Sequence, residues 1–403
     1  MLTKKGRIIL SLSILLSFLS LFFKSYQLVI ISIFFLSFII VSMFSVRKTK
    51  MDLSRTVSDE KIFEGNETNI DLRIKCRSPS FVEIMDKLPS QVKISSGFNH
   101  GFLAGKDNLM RYRIECPLRG VYNIGPVMIR NEDPFSLFYR ETETKNFSYL
   151  TVYPKIEEIK EMPIKTPGYR VSPGLIPSKT IGKGIEFFSL RDYQPGDAFK
   201  DINWKAYARL GKLIVSEKTK ETTADIILIL DAMEISETGF ESKTSLIYSC
   251  RACASLANFF LRRNNNVGLI TYSDRIETVN PGFGERQLYK ILDSLASIRG
   301  KGEMRTGSVT EYITKKFSSK SSVIFISSLE NDETIKNSVI RLKSLGFDLT
   351  IISPSTIHFE SIEPGVYEEI KMKRGKLLSE LRGYIPVFDW NPEESLSWML
   401  VRK

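Results

Sequence analysis

The chain has 403 residues, of which 42% are apolar and 26% charged, and its formal net charge is +11. This composition is ordinary for folded protein, and the length allows two to three domains. Seven basic residues and no acidic residue lie in positions 1–50, so the remaining chain is close to neutral. From this charge distribution we expect no broad nucleic-acid-binding surface.

Residues 1–50 contain two uncharged runs rich in Leu, Ile and Phe, at 8–23 and 28–46. Helices of this length approach the ~30 Å hydrocarbon core of a bilayer. The first run is not read as a cleaved signal peptide, because no small-residue cleavage site follows it and the second run begins at once. We predict a transmembrane hairpin in the cell membrane, with two helices. Basic residues flank both outer ends, so the soluble domains are expected in the cytoplasm.

Residues 51–155 contain short segments in which polar and apolar residues alternate, separated by Gly, Pro, Asn and Asp. This pattern predicts an antiparallel β-sandwich. The segment 132–135 reads as a turn in which Asp133 accepts hydrogen bonds from the backbone that follows. Cys76 and Cys116 are expected to be buried thiols in a reducing cytoplasm.

Residues 156–222 begin with a proline-punctuated connector and continue into an unusual stretch at 182–209. That stretch contains nine charged and six aromatic residues in 28 positions. Such a mixture predicts a polar network packed between apolar side chains, because a buried charge needs a partner. We expect a turn at Pro195, a helix at 198–210 capped by Asp197, and a strand at 212–216. The glycines at 182 and 184 lack the remaining features of a nucleotide-binding loop.

Residues 223–403 alternate nearly continuous apolar runs with helical patterns. The predicted strands lie at 225–230, 267–272, 322–326, 349–352 and 385–388. The predicted helices lie at 242–263, 285–298, 307–317, 333–345 and 367–381, followed by a last helix capped by Asn391. This alternation predicts an α/β domain with a doubly wound parallel sheet.

Isolated cysteines and histidines give no support for a metal or catalytic centre. Cys250 and Cys253 lie on the apolar face of a predicted amphipathic helix, with no second pair and no nearby histidine to complete a zinc site. His100 and His358 are far apart in the chain and are expected to be structural. Basic neighbours would keep the carboxylates of 182–209 ionised, which does not suit an acid–base catalyst. We therefore expect no enzyme, and no small-molecule substrate is identified.

A long spaced pattern in the charged stretch resembles the signature of the domain of unknown function fifty-eight family. It reads Gly184-x-Glu186-Phe187-x-x-Leu190-Arg191-x-Tyr193-x-x-Gly196-Asp197-x-x-Lys200-x-Ile202-x-Trp204-x-x-x-Ala208-Arg209. The hairpin anchor, an Arg119-Gly-Val-Tyr segment and an Asp133-Pro-Phe segment agree with the same family, so the resemblance spans essentially the whole chain. Lys200 and Ser136 depart from the family pattern, which usually has Arg and Gly there. Lysine lacks the bidentate fork of arginine, so pairing at position 200 should be weaker.

The resemblance implies a von Willebrand factor A-like fold for residues 223–403. Such domains often bind a divalent cation through Asp-x-Ser-x-Ser, whereas this chain has Asp231-Ala-Met233-Glu-Ile235, and Ser328 stands where an aspartate is frequent. A thioether and a butyl group cannot coordinate a hard cation. We expect a degenerate site at Asp231, Met233, Ile235 and Ser328, with no metal and no cofactor.

The preferred interpretation is a membrane-anchored protein-interaction or scaffolding protein. The resemblance implies a MoxR-type AAA+ ATPase as partner, and a role in envelope or complex assembly. The residues expected to form either a docking surface or an internal clasp are Glu186, Arg191, Tyr193, Asp197, Lys200, Trp204 and Arg209. The alternative functions are a divalent-cation-dependent adhesion or binding protein and an uncharacterised hydrolase.

Overall fold

The computed structural model separates the chain into two compact units, Met1–Tyr153 and Pro154–Lys403. The structure describes residues 1–46, 51–162, 177–195, 197, 199, 202–221, 225–237, 239–240, 243–319, 321–329, 334–355 and 364–401. Within these ranges the side chains are described except at 77–81, 103–105, 177–191, 216–221, 239–240 and 364–366.

The first unit begins with two helices, α1 (Lys4–Phe23) and α2 (Tyr26–Ser45), each of 20 residues. Both are long and apolar enough to cross a membrane. Helix α1 starts four residues before the apolar run, because the Thr3 hydroxyl caps it by accepting from the Gly6 N–H at 3.0 Å. The helices pack through serines: Ser13, Ser32 and Ser42 are buried, while most of the large apolar side chains are exposed.

Among the described residues, nine strands follow in the first unit. They are β1 (Met51–Val57), β2 (Lys61–Phe63), β3 (Glu67–Asp86), β4 (Lys93–Gly97), β5 (His100–Glu115), β6 (Gly120–Ile124), β7 (Val127–Glu132), β8 (Tyr139–Glu143) and β9 (Ser148–Tyr153). One sheet has the order β4-β5-β3-β7-β8 with β1 also paired to β3, and the other has the order β2-β9-β6. The predicted sandwich-like region is present, with one departure from antiparallel pairing, between β2 and β9.

The core of this β-rich region consists of apolar residues at alternate strand positions, among them Ile70, Leu72 and Ile114, which are fully buried. Cys76 and Cys116 lie in the same core as free thiols, as predicted. Burial raises the pKa of the Cys116 thiol to about 11.

The second unit contains ten strands, two of them in a very short hairpin, and seven helices among the described residues. The strands are β10 (Pro177–Asp192), β11 (Ile214–Glu221), β12 (Asp225–Asp231), β13 (Gly239–Phe240), β14 (Lys243–Thr244), β15 (Asn266–Tyr272), β16 (Ile276–Gly282), β17 (Ser322–Ile326), β18 (Asp348–Pro354) and β19 (Val387–Trp390). The helices are α3 (Trp204–Leu210), α4 (Ser245–Leu261), α5 (Glu285–Ser297), α6 (Thr306–Lys316), α7 (Ile335–Ser344), α8 (Pro364–Arg382) and α9 (Leu396–Val401).

The central sheet of the second unit has the order β16-β15-β12-β17-β18-β19. Its pairs are parallel except that β16 runs antiparallel to β15, so the sheet is mixed and not purely parallel. The edge strand β16 was not predicted, because its residues are partly exposed and form no continuous apolar run. It follows β15 through a tight turn in which Ser273 N donates to Arg275 O at 3.1 Å.

The helix predicted at 198–210 is shorter than expected. Ile202 pairs with Val215 as an isolated bridge, and Asn203 N donates to Ile214 O at 2.8 Å, so the chain is still extended there. Helix α3 therefore begins at Trp204. Its cap is Asn203, which accepts from Ala206 N at 3.0 Å, and not Asp197.

The last helix also starts later than predicted. The Asn391 side chain accepts from Glu393 N at 3.1 Å in a turn, and the Trp390 indole N–H donates to the Glu394 carbonyl at 2.9 Å. Helix α9 begins after this turn, at Leu396. The predicted core role of Cys250 and Cys253 is confirmed: both are fully buried in α4.

Candidate functional site

The signature segment folds around strand β11. Tyr193 N donates to Leu213 O at 2.9 Å, one residue before β11. The isolated β-bridge between Ile202 and Val215 is a second contact, with the strand itself. Ile202 and Val215 are buried, so an apolar contact holds the loop before α3 against the strand. Gly211 ends α3 with a φ of 65°, a conformation that glycine adopts without strain.

Helix α3 exposes apolar side chains that a globular domain usually buries. None of its seven residues is buried, and Trp204 is 58% exposed. Trp204, Tyr207 and Leu210 recur at intervals of three and so share one helix face. We call the following residues the α3 surface: Phe199, Trp204, Tyr207, Leu210 and Leu213, all exposed, with the exposed basic residues Lys205, Arg209 and Lys212.

Aromatic contacts order this surface locally. The rings of Trp204 and Tyr207 meet edge to face with centroids 6.1 Å apart, and Tyr193 lies 6.4 Å from Phe199. Both separations fall in the range of favourable aromatic pairs. The α3 surface therefore consists of aromatic rings in mutual contact beside exposed basic side chains.

The other predicted residues of this segment are distributed as follows. Asp197 is half-buried and accepts from Gln194 N at 2.8 Å, which closes the predicted turn. Glu186 and Arg191 lie in β10, where Arg191 pairs with Val215, but their side chains lie outside the described set. Lys200 lies outside the described residues. Among the described side chains, Arg209 is exposed and makes no ion pair.

Asp231 lies at the carboxyl end of the central strand β12 and is 2% exposed. One carboxylate oxygen accepts from Met233 N at 3.0 Å, and the other accepts from the Ser327 hydroxyl at 2.7 Å. Ser327 Oγ in turn accepts from Leu329 N at 3.0 Å. The carboxylate thus connects the loops that follow β12 and β17.

The residues around Asp231 do not fit a divalent cation. Met233 is buried in the apolar core and Ile235 packs against it, so two positions that would need oxygen donors present carbon and sulfur. Both oxygens of Asp231 already accept hydrogen bonds from protein donors. Within the described part of the chain, no cluster of three or more His, Cys, Asp or Glu could hold a metal ion.

A buried arginine lies at the same end of the sheet. Arg374, on α8, is 8% exposed, and its guanidinium donates to the Ser328 carbonyl, to Ser353 Oγ at 2.8 Å and to Asp389 Oδ1 at 2.8 Å. These acceptors follow or end β17, β18 and β19, so one side chain connects three adjacent strand ends. Sequence reasoning missed Arg374, because nothing in the helical pattern of α8 distinguishes it from the exposed basic residues nearby.

Comparison with known proteins adds one family. Residues 189–344 match the family described as "Protein of unknown function DUF58", which confirms the resemblance of the signature over that range. The match extends from the end of β10 to α7 and includes both the α3 surface and Asp231. No curated protein matches the chain.

Several solved structures resemble about a quarter of the chain. The cupredoxin domain of amoB from Nitrosocaldus yellowstonii is 8% identical with a TM-score of 0.20, over 27% of this chain and 89% of that one. A FixG-related protein from Vibrio parahaemolyticus is 12% identical with a TM-score of 0.19, over 25% and 95%. A non-cellulosomal cohesin from Archaeoglobus fulgidus is 9% identical with a TM-score of 0.18, over 25% and 91%. Likenesses at these TM-scores identify no function.

Proposed function

We propose that this chain is a membrane-anchored adaptor, not an enzyme, and that it binds a partner protein through the α3 surface. The observation that carries the proposal is the exposure of Trp204, Tyr207 and Leu210 on one face of a helix with no buried residue. Contiguous exposed apolar side chains mark interaction sites, and Trp, Tyr and Arg dominate binding energy at protein interfaces.

The charge of the α3 surface defines the kind of partner. Lys205, Arg209 and Lys212 are exposed around the aromatic residues, and no described acidic side chain forms an ion pair with them. Charge complementarity therefore favours a partner with an acidic patch. In line with the resemblance to the domain of unknown function fifty-eight family, we propose a MoxR-type AAA+ ATPase as that partner, in envelope or complex assembly.

The anchor in this proposal is the α1–α2 hairpin. Buried serines bond across the helix pair, where Ser32 Oγ donates to the Ser13 carbonyl at 3.2 Å, and most of the Leu, Ile and Phe side chains are exposed. This arrangement is the reverse of a water-soluble helix pair and suits a lipid environment, in which buried polar groups bond across the helix interface. With basic residues at both outer ends, we place the soluble domains in the cytoplasm.

The adaptor would work without a divalent cation. In this proposal residues 223–403 form a von Willebrand factor A-like domain whose cation position is replaced by protein contacts. Asp231 bonds Met233 N and Ser327, while the guanidinium of Arg374 supplies a fixed positive charge at the neighbouring strand ends. The carboxyl edge of the sheet would then be a permanent structural element rather than a ligand-dependent switch.

Copurification of the full chain from membranes tests the proposal. The W204A protein should lose most of the cognate AAA+ ATPase, since truncation of a central aromatic residue costs about 2 kcal/mol or more, roughly 30-fold in affinity. The matched control is W398A, which removes a tryptophan of similar exposure, 48%, on α9. If W204A lowers the melting temperature and W398A does not, Trp204 belongs to an internal clasp, and the proposal that the α3 surface binds the partner is wrong.

A further inference from the structure

The turn between β7 and β8, residues 133–138, is held in shape by one buried carboxylate. Asp133 is buried and accepts from Phe135 N at 3.1 Å and from both Leu137 N and Phe138 N at 2.7 Å. The same carboxylate accepts from the Ser42 hydroxyl on α2. We call residues 133–138 the Asp133 loop. Its conformation and its attachment to the hairpin thus depend on the same group.

The start of α1 holds the other side of the Asp133 loop. Thr3 N donates to Leu137 O at 2.9 Å, and Thr3 Oγ1 donates to Ser136 O at 2.7 Å. Gly6 permits this approach, because a Cβ atom there would collide with the Leu137 carbonyl oxygen. The loop is therefore bonded to both helices of the hairpin.

The register of the hairpin places the loop at a definite height. Ser13 and Ser32 exchange hydrogen bonds, so these two positions lie level in the antiparallel pair. Arg7 is six residues before Ser13 and Phe38 is six residues after Ser32, which puts Arg7 and Phe38 at one level. Arg7 is also the last charged residue before the apolar run of α1. On α1 this level is where charged residues give way to the apolar run, whereas on α2 the apolar run continues past Phe38 to Val46. Phe38 therefore lies on the hydrocarbon side of the basic residues that flank both outer ends of the hairpin.

Phe135 lies at that same level. Its ring packs on Phe38 with centroids 4.6 Å apart, and the residue remains 52% exposed. An aromatic ring that lies level with the last charged residue before the apolar run of a transmembrane helix has the position that interfacial aromatic residues occupy.

We propose that the Asp133 loop is a membrane-docking site, in which Phe135 inserts at the boundary between lipid headgroups and acyl chains and seats the β-rich region on the bilayer. The ligand is the lipid interface itself, around the hairpin. This inference rests on the proposed function only in requiring that α1 and α2 span the membrane. It adds that the β-rich region is fixed to the bilayer surface and is not connected to the membrane through a linker alone.

The chain is well suited to a single-probe experiment. Its four native cysteines, Cys76, Cys116, Cys250 and Cys253, are all buried, so a thiol reagent is directed to an introduced cysteine. The full-length F135C protein is labelled with a nitrobenzoxadiazole probe and reconstituted in phosphatidylcholine–phosphatidylglycerol vesicles. Lipids with a nitroxide either near the headgroup or near the acyl-chain end are then used as quenchers.

Two further single-cysteine proteins provide the references. I8C is the lipid-side reference, because Ile8 is exposed on α1 directly after Arg7. F98C is the water-side reference: Phe98 is 72% exposed and precedes His100, which pairs with Met85. Met85 in turn pairs with Met128 at the start of β7. Phe98 therefore lies near the end of β7 that is farther from the Asp133 loop.

The expected result is that F135C shows blue-shifted emission and loses as much emission as I8C to the headgroup-proximal nitroxide, and less to the deep one. F98C should keep its emission with both lipids. If I8C is quenched while F135C behaves as F98C does, the loop is not in the lipid interface and the proposal is wrong, although the anchor stands. If I8C itself is not quenched, the anchor fails and this proposal fails with it.

Discussion

Ser327 donates a hydrogen bond of 2.7 Å to the buried Asp231 carboxylate, and so connects the loops that follow two adjacent parallel strands. Ser327 and Asp231 are 2% exposed each. Water therefore cannot replace the bond if the hydroxyl is removed. The pair lies at the carboxyl edge of the central sheet and joins two of its loops by hydrogen bonds within the protein.

We predict that Ser327→Ala lowers the free energy of unfolding by about 1–3 kcal/mol, because a buried carboxylate oxygen loses its donor. Urea denaturation of the full chain in detergent measures the change. Ser344→Ala is the matched control, since Ser344 is exposed on α7 and its hydroxyl donates to Arg341 O within the same helix. Equal stability of the two variants would contradict a structural role for the Asp231–Ser327 pair.

We predict that Mg²⁺ and Mn²⁺ do not bind the carboxyl edge. The side chains of Met233 and Ile235 contain no oxygen, and both carboxylate oxygens of Asp231 already accept hydrogen bonds, so titration calorimetry should show no saturable isotherm. Chelation should also leave the melting temperature unchanged. A saturable isotherm that disappears in the Asp231→Ala protein would overturn this prediction and revive cation-dependent binding.

Arg374 should be stability-critical and intolerant of lysine. Its guanidinium serves acceptors on Ser328, Ser353 and Asp389 at once, which a single ammonium group cannot reproduce. We predict a loss of about 2–3 kcal/mol for Arg374→Lys, from the hydrogen bonds to a charged group that are not remade. Arg382→Lys, at an exposed position on the same helix, should leave the denaturation midpoint unchanged.

A buried ion pair should stabilise the β-rich region. The side chains of Arg55 and Asp86 are 0% exposed, with Nη2 and Oδ1 2.6 Å apart, and the Tyr112 hydroxyl donates to Asp86 at 2.7 Å. Burial and the neighbouring Asp86 raise the pKa of Tyr112, which keeps it a donor.

Asp86→Asn should cost about 3–5 kcal/mol, because it leaves a buried guanidinium without its counter-charge. Glu143→Gln breaks the exposed pair with Lys87 and serves as the control, with little expected change. Chemical denaturation compares the two variants. A small effect of Asp86→Asn would mean that water reaches Arg55 in the folded protein.

The four thiols should react with a maleimide only after unfolding. All are buried, and burial raises the pKa values of Cys116, to about 11, and of Cys253. Because folding raises the pKa of these thiols, they ionise at lower pH in the unfolded chain than in the folded protein. The free energy of unfolding should therefore fall as pH rises from about 9 toward 11. Thiol counting with and without denaturant checks the first point, and denaturation across this pH range checks the second.

Local pattern was sufficient where one face of an element is buried along its length. The stripe containing Cys250 and Cys253 identified α4, and the continuous apolar runs located β12, β15, β17 and β18 to within about two residues. The family signature likewise drew attention to the segment that contains α3. In these places burial repeats with the period of the secondary structure, and the sequence carries that period directly.

The pattern failed where a single long-range contact decides the outcome. Helix α3 starts at Trp204 and not earlier because Ile202 and Asn203 are held by β11. At the start of α9, the Leu396 N–H donates to the distant Glu157 carboxylate at 2.9 Å. The edge strand β16 exists because β15 offers it a partner, although its own residues show no strong apolar pattern. Such hydrogen bonds join residues that are distant or out of phase with any local period.

By itself the sequence therefore determined the apolar hairpin, the β-rich and α/β regions, and the presence of side chains without oxygen at Met233 and Ile235. Only the tertiary structure decided that Arg374 lies buried beside the strand ends, that Trp204 is exposed, and that Asp133 bonds to Ser42. The physical reason is that composition and periodicity report which side chains avoid water. Which polar group meets which depends on how elements far apart in the chain pack together.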